Sequence, residues 1–196
     1  MFSQILCDTG CGRTALTGSR LCALHSADQR ADARRITDHI SARKRISDLN
    51  AAGLHFEGAD FSGRQFLGCN FQKAFFSRCL FTGSLMRLSF FDFAAFSNCD
   101  FSGSSLLFLS FAGADFQDCS FEGSELVHLN CGGSIIRDCT FNNSNLYNSR
   151  FIMADISNTD FEDCNLKKTF FYLARQEKLS FKASNTAEAF FELGAK

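Results

Sequence analysis

Four residues near the start of the chain could hold a metal ion: Cys7, Cys11, Cys22 and His25, spaced C-x3-C-x10-C-x2-H. Two close ligands, a short loop and two further close ligands can close a tetrahedron around Zn2+. Because three thiolates and one imidazole leave no open coordination position, the spacing predicts a structural zinc site and not a catalytic one. The alternative is three free thiols and a surface histidine on an unstructured leader.

The residues around these ligands are suited to a compact loop. Gly10 and Gly12 would let backbone N–H groups turn toward the sulfurs, and Gly18 would let the chain return. Through Gly10-Cys11-Gly12-Arg13, Leu21-Cys22 and His25, the segment resembles the small Cys3His zinc fingers at the N-termini of many bacterial and phage proteins. The resemblance covers the 19 residues from Cys7 to His25 and implies a zinc-finger-like segment over residues 1–25.

Residues 26–53 predict a basic amphipathic helix followed by a linker. Apolar residues recur at helical spacing and would form its apolar stripe, namely Ala33, Ile36, Ile40 and then Ile46 and Leu49. The helix would cover the open N-terminal end of the repeat domain that is predicted to follow, and its Arg and Lys side chains would lie in water. The alternative is that finger and helix grip a phosphate backbone or an acidic partner. Direct nucleic-acid binding is not expected, because no aromatic or amide side chains are interleaved for base readout.

An apolar residue returns at every fifth position from Phe56 to Phe171, giving 24 positions, of which 16 are Phe. Neither a helix, with a period of 3.6 residues, nor a strand, with a period of two, keeps this register. Two residues before each of these centres, 20 of the 24 side chains are Ala, Ser, Cys or Thr. Large and small inward residues alternate, as a close-packed interior requires, and the repeat predicts a solenoid.

A longer period of twenty residues gives the number of sides in each coil. Cysteines and aliphatic centres both recur at this interval: Cys79, Cys99, Cys119 and Cys139; Met86, Leu106, Leu126 and Leu146. Like residues therefore stack on like, which predicts a square coil of four five-residue sides, with coils ~4.8 Å apart. The chain contains no proline, which would interrupt the ladder between coils.

Stretches such as Ala59-Asp60-Phe61-Ser62-Gly63 and Ser144-Asn145-Leu146-Tyr147-Asn148 have the pattern small, Asp or Asn, Leu or Phe, any, any. In this pattern the sequence resembles the pentapeptide-repeat proteins over residues 54–171. The resemblance implies an all-β solenoid, a right-handed quadrilateral parallel β-helix of about six coils over residues 54–173, often dimeric and with no catalytic centre intrinsic to the fold. Residues 174–196 are predicted to form a cap with a short C-terminal helix.

Composition and charge narrow the function classes. Residues 54–171 carry 13 Asp or Glu against 8 Lys or Arg, so the solenoid is mildly acidic. No signal peptide and no long apolar run are present, so a cytoplasmic protein without a membrane partner is expected. Neighbours in the Cys79 column lie within disulfide range, but buried reduced thiols are favoured in a cytosolic protein. An enzyme with a small-molecule substrate is not expected, since Asp60, Asp100 and Asp160 have no base placed beside them.

Inward positions are structural, so partner binding is expected on outward columns. Large side chains on successive coils would form one apolar strip: Leu88, Leu107, Phe108, Val127, His128 and Tyr147. Such a strip should be covered, either by the chain's own helix through Ile36 and Ile40 or by a second subunit or client protein. In the tail, Phe190, Phe191 and Leu193 would give an apolar face for a homodimer, following the resemblance.

The function that these patterns favour is a non-enzymatic protein-interaction scaffold with a structural zinc site and a protein partner. The alternative follows from the resemblance, since some members mimic duplex DNA, bind type II topoisomerases such as DNA gyrase and confer quinolone resistance. Duplex DNA carries one negative charge per ~1.7 Å. The predicted net charge of −5 over residues 54–171 is low for such a mimic, unless the acids cluster on one side. A nucleic-acid-tethered adaptor is a third, weaker hypothesis.

Overall fold

The chain forms a parallel β-solenoid of about seven turns, preceded by a small finger and one α-helix, in a computed structural model that describes residues 5–192. The helix α1 spans Gln29–Ser41. The strands are β1 (Arg45–Ser47), β2 (His55–Glu57), β3 (Gln65–Leu67), β4 (Phe75–Ser77), β5 (Leu85–Arg87), β6 (Ala95–Ser97), β7 (Ser105–Leu107), β8 (Asp115–Gln117), β9 (Glu125–Val127), β10 (Ile135–Arg137), β11 (Asp155–Asp160) and β12 (Arg175–Ser180). The predicted solenoid is confirmed.

Each coil has four sides, which we number in the order in which the chain reaches them. Face 1 contains the sheet β1-β3-β5-β7-β9, and face 3 contains the sheet β2-β4-β6-β8-β10-β11-β12. Faces 2 and 4 are built from single bridged residues, in the rows from Asn50 to Phe190 and from Asp60 to Asp160. Paired residues are twenty apart throughout, as in Phe76↔Phe96, so the twenty-residue period is the coil itself.

The interior is a set of aromatic columns. Phe96 packs parallel to Phe76 below it and to Phe116 above it, with ring centroids 4.9 and 4.8 Å apart. Rings on adjacent sides of a coil meet edge to face, as Phe96 and Phe101 do at 5.5 Å. Both arrangements suit the quadrupole of an aromatic ring. The small residues fill the space between columns, and Cys99 donates its S–H to the carbonyl of Phe76.

The chain turns between faces in the left-handed region of backbone conformation. Glycines occupy some of these corners, such as Gly83 and Gly103. Many others are not glycine: Asn148 and Asp138 are at φ 56° and 54°, and the bulky Phe108 and Met153 are at 58° and 57°. Asn and Asp tolerate this region, whereas large side chains are strained in it.

The N-terminal end of the solenoid is closed by α1. Asp28 caps the helix by accepting a hydrogen bond from the backbone N–H of Ala31, and Ile36 and Ile40 are fully buried in the core beside Leu54. The helix is shorter than its pattern predicted, because Arg45–Ser47 pairs with Gln65–Leu67 and already belongs to the solenoid. Ile46 fits both a helical stripe and the five-residue register, and the strand pairing decides between them.

The C-terminal segment also differs from the prediction. Residues 175–180 form β12, and Gln176 pairs with Ile156 although its side chain is polar and exposed, because the ladder is made by the backbone. The expected short helix is reduced to one 3-10 turn, Thr186–Glu188, after which Phe190 bridges to Phe170. The coils therefore run from about residue 46 to residue 191, which gives about seven turns instead of six. No helix within residues 5–192 has both the length and the apolar character needed to cross a membrane.

Removing one ring from an aromatic column should destabilise the whole solenoid. We expect Phe96→Ala to lower the free energy of unfolding by about 3–5 kcal/mol, because the cavity would lie between two stacked rings and four ladders hold its walls. Urea denaturation followed by circular dichroism measures the change. The control is Ala95→Ser at the outward neighbour. If Phe96→Ala lowers the free energy of unfolding no more than the control does, Phe96 is not packed between Phe76 and Phe116.

Candidate functional site

The four predicted metal ligands lie together, with their ligand atoms all within 4.8 Å of one another. The sulfurs of Cys11 and Cys22 are 3.8 Å apart, and Nδ1 of His25 lies 3.4 Å from the Cys22 sulfur and 3.6 Å from the Cys7 sulfur. A tetrahedron with Zn–S bonds of about 2.3 Å and a Zn–N bond of about 2.0 Å has S–S edges of about 3.8 Å and S–N edges of about 3.5 Å. This donor set fits a tetrahedral metal ion.

Short backbone contacts hold the ligands in place. An antiparallel bridge joins Leu6 to Thr14, and the Cys7 N–H donates to the carbonyl of Arg13 at 2.8 Å. The loop between them turns through Gly10 and Gly12, at φ 73° and 74°, where no neighbouring atom lies within 4 Å of an added Cβ. Cys22 directly precedes the 3-10 helix Ala23–His25, which brings the imidazole back to the sulfurs.

The local hydrogen bonds prepare two of the thiols as thiolates. The Thr9 hydroxyl and nearby backbone N–H groups lower the pKa of the Cys7 thiol to about 5. The backbone N–H of Arg13 lowers the pKa of Cys11 to about 7. Burial raises the pKa of Cys22, and the hydrogen bond to Cys7 raises the pKa of His25. Metal binding requires deprotonated ligands, so the raised pKa values of Cys22 and His25 oppose it and binding weakens as the pH falls.

The finger is fastened to the solenoid at one ladder position. Asn50, which bridges to Asn70 on face 2, donates its backbone N–H to Thr17 Oγ1 at 2.7 Å and its side-chain amide to the carbonyl of Ala15 at 2.7 Å. Arg35 on α1 forms an ion pair with Asp32 and donates to the carbonyl of Thr17. Finger, helix and first coil thus form one continuous hydrogen-bonded unit.

The residues of the predicted apolar strip lie on successive coils, at and beside the corner between face 1 and face 2. Leu107 pairs with Val127 in the ladder. The Phe108 ring stacks on His128 at 4.7 Å, and His128 meets Tyr147 edge to face at 6.0 Å. Leu88 and Phe108 remain 54% and 47% exposed. Since the apolar side of α1 is buried over the first coil, the helix does not cover this strip.

A second group of exposed apolar side chains lies at the corner between face 2 and face 3. Phe93, Met153 and Leu173 occupy this corner at φ 58°, 57° and 54°, and each is about 60% exposed. The Phe93 ring lies over Gly113, where an added Cβ would be 2.6 Å from it. The sequence interpretation missed these residues. Their shared position two residues after an inward Phe could have revealed them.

Face 4 collects the acidic side chains. Across four successive coils, this face and its corners contain Asp or Glu but neither Lys nor Arg; the acids are Asp100, Asp118, Glu122, Asp138, Asp160, Glu162 and Asp163. Asp side chains in the face 4 row that runs from Asp60 to Asp160 also stabilise turns. Asp60 and Asp100 each accept the backbone N–H two residues later at 2.8 Å, and the Ser62 hydroxyl and backbone lower the pKa of Asp60. The acids are therefore clustered on one side.

The predicted dimerisation residues end the aromatic rows. Phe190 stacks on Phe170 at 4.7 Å and is 45% exposed. Phe191 stacks on Phe171 at 5.1 Å and closes the core. Phe190 is thus available for contact, whereas Phe191 is largely used inside the chain. Leu193 lies outside the described residues.

We expect the Cys7, Cys11, Cys22 and His25 set to bind one zinc ion per chain, measured by native mass spectrometry of protein purified without chelator. Cys11→Ser should remove the ion, and acidification should release it because the ligands become protonated. The control is Cys164→Ser, whose hydroxyl can donate to the Phe141 carbonyl as the thiol does. A metal-free wild-type chain of unmodified mass would contradict the site.

The comparisons with known proteins agree with this architecture. The family model described as "Pentapeptide repeats (8 copies)" matches residues 46–83 and 91–126, and the model "Pentapeptide repeat region" matches residues 114–191. No curated protein has a sequence that matches the chain.

Among solved structures, a trypsin-treated form of QnrB1, a plasmid-mediated fluoroquinolone resistance protein, is similar at 22% identity over 71% of this chain and 73% of that chain, with a TM-score of 0.62. HetL, a pentapeptide repeat protein involved in heterocyst differentiation regulation in the cyanobacterium Nostoc sp. strain PCC 7120, is similar at 11% identity over 79% of this chain and 94% of that chain, with a TM-score of 0.32. Together the two family models cover residues 46–83 and 91–191, which is most of the chain, and the chain belongs to the pentapeptide repeat family.

Proposed function

We propose that the protein is a non-enzymatic protein-interaction scaffold, whose partner surface is the apolar strip of Leu88, Leu107, Phe108, Val127, His128 and Tyr147. One observation carries the proposal, namely that these side chains follow one another without interruption over four successive coils along one left-handed corner, where Phe108 stacks on His128 and Leu88 and Phe108 stay exposed. At such a corner, Gly, Asn or Asp would relieve strain on the order of 1 kcal/mol per residue. A continuous exposed apolar row is typical of a partner surface, whereas the second group, Phe93, Met153 and Leu173, is interrupted by Gly113 and Gly133.

The metal centre has a structural role in this proposal. Zn2+ is the ion proposed, because three sulfurs and one nitrogen at tetrahedral spacing are its common structural donor set. Bound there, it would hold Cys7, Cys11 and Cys22 together in a segment too small to order itself by burial alone. We propose the cytosol as the location, since its reducing conditions keep these thiols free.

Self-association at the C-terminal end is part of the proposal. Phe190 is exposed at the last coil, where β12 is the last strand of its sheet within residues 5–192, and edge strands pair readily with another chain. A second copy that contacts Phe190, Phe191 and Leu193 would cover both the Phe190 side chain and the edge of β12. The native mass spectrum that counts zinc also reports this subunit number, and a monomer at all concentrations would exclude the dimer.

The strip is tested by replacing its corner residues with asparagine, which tolerates the left-handed backbone. We expect Leu88→Asn/Phe108→Asn to abolish capture of partner proteins from a lysate of the source cells, while the melting temperature stays the same or rises. Quantitative mass spectrometry of the captured proteins measures the loss.

The matched control is Met153→Asn/Leu173→Asn, which makes the same change at left-handed positions on the opposite side of face 2. Partner proteins that the control captures and the strip variant does not are those that bind the apolar strip. If both variants capture the same proteins as the wild type, the strip is not the partner surface.

A second candidate function is mimicry of duplex DNA toward a type II topoisomerase. The clustering of acids on face 4 favours this function. A solenoid of low net charge can resemble DNA only where its acidic side chains lie on one side. Four coils span ~19 Å, over which duplex DNA carries about 11 phosphate charges. The seven acids of that surface, unopposed by any Lys or Arg on it, supply a large part of that density.

For this candidate, we expect the wild-type protein to inhibit supercoiling by DNA gyrase or to protect the enzyme from a fluoroquinolone, with an effect that decreases as salt increases. Asp118→Asn/Asp138→Asn should weaken the effect several-fold, while Asp48→Asn, a change at another left-handed corner, should not. All three positions tolerate Asn, so the fold is retained. No effect of the wild-type protein at low salt would exclude the mimic.

A further inference from the structure

A cleft lies between the finger and the first two coils, on the face 2 side of the solenoid. Its volume is about 480 Å3, which is within the range of ligand-binding pockets. Arg13 and Leu24 line it from the finger, and Asn70, Gln72 and Lys73 line it from the solenoid. We call this space the finger–solenoid cleft. It does not include any residue of the apolar strip.

The charge of the cleft is positive. Arg13 and Lys73 are both exposed and line it, and no Asp or Glu is among the lining residues. A zinc ion held by three thiolates and a neutral imidazole would add one negative charge near Arg13, and the Asp92 carboxylate lies behind Gln72, where it accepts hydrogen bonds from Gln72, Ser110 and Ala112. The positive charge of the cleft is therefore local to its two exposed cations. Lys73 lies at φ 59°, in a column where Gly53, Gly113 and Gly133 avoid strain.

The other lining groups can recognise a peptide. The Gln72 side chain is oriented by a hydrogen bond from its Nε2 to Asp92 at 2.8 Å, and the Gln72 backbone N–H donates to the Asn70 side chain at 3.0 Å. Both amides line the cleft, and the Gln72 Oε1 and Asn70 Nδ2 atoms take no part in these two bonds, so they can hydrogen-bond a peptide backbone. Leu24 is 64% exposed at the cleft and offers an apolar contact. The cleft thus combines carboxylate, backbone and apolar recognition.

We propose that the finger–solenoid cleft binds an acidic segment of a protein partner, with a carboxylate between Arg13 and Lys73 and an adjacent apolar side chain against Leu24. The inference deepens the proposed scaffold function, because it gives the scaffold a second contact of defined chemistry. One wall of the cleft belongs to the finger, so the proposal also makes this contact dependent on the metal centre. Partner binding at the apolar strip has no such dependence.

The test uses the full zinc-loaded chain and a labelled hexapeptide with two adjacent glutamates followed by leucine. The comparison peptide has glutamines in place of the glutamates. We expect fluorescence polarisation to show binding of the glutamate peptide only, and nitrogen–proton correlation spectra to show shifts at Gly53, Asn70 and Gln72. Removal of zinc with a chelator should abolish binding.

Lys73→Asn should weaken binding about tenfold, since it removes one charge contact while asparagine retains the left-handed backbone. The matched control is Arg78→Asn, which deletes a cation at φ 53° on the corner between face 3 and face 4. The control should bind like the wild type.

Three results would overturn the inference: equal binding of both peptides, spectral shifts confined to the basic surface of α1, or displacement of the peptide by inorganic phosphate at equal concentration, which would assign the cleft to free anions. These results leave the scaffold proposal intact, because the strip variants test that proposal separately. If the strip variants lose partner capture but still bind the glutamate peptide, the cleft binds independently of the strip.

Discussion

The in-register stacking of one coil on the next is the constraint on which the rest of the molecule depends. Backbone N–H and C=O groups pair across a spacing of ~4.8 Å, and this spacing places each side chain directly above its equivalent twenty residues earlier. The aromatic columns follow from it, since rings with centroids 4.5–5.4 Å apart can stack only if the register never slips. The finger depends on it as well, because Asn50 joins the ladder through Asn70 and the finger through Ala15.

The same constraint explains which parts of the fold could be predicted from the sequence. Inward positions determine packing, so their period of five and their stacking at twenty identify the coil and its four sides. Both ends of the solenoid were less accessible to prediction. Ile46 satisfies a helical stripe and the coil register at once, and only the pairing of Arg45–Ser47 with Gln65–Leu67 decides. At the other end, Gln176 breaks the side-chain pattern while its backbone continues the ladder.

The positions of the metal-ligand set and of the apolar strip could also be predicted from the sequence. Ligand spacing identifies Cys7, Cys11, Cys22 and His25, because a short loop limits how far four donors can separate. The twenty-residue rule likewise places Phe108 beside His128. The sequence interpretation did not extend the left-handed turn to every residue two after an inward centre, because bulky residues occur there as well as Gly and Asn. For that reason Phe93, Met153 and Leu173 were overlooked, although they occupy the same type of corner as Leu88.

Separate surfaces of one rod carry separate chemistry. The apolar strip, the acidic face 4 and the finger–solenoid cleft are built from outward columns or from the finger, and none of them uses an inward residue. A ladder that fixes every coil also fixes the distances between these surfaces, so a partner that spans two of them meets a preorganised arrangement and loses little entropy in aligning the scaffold. The cleft differs from the other two in one respect, because one of its walls belongs to the finger, which contains the four possible metal ligands and joins the ladder through Asn50. Within a rigid rod, the finger is therefore the place where binding can be made conditional.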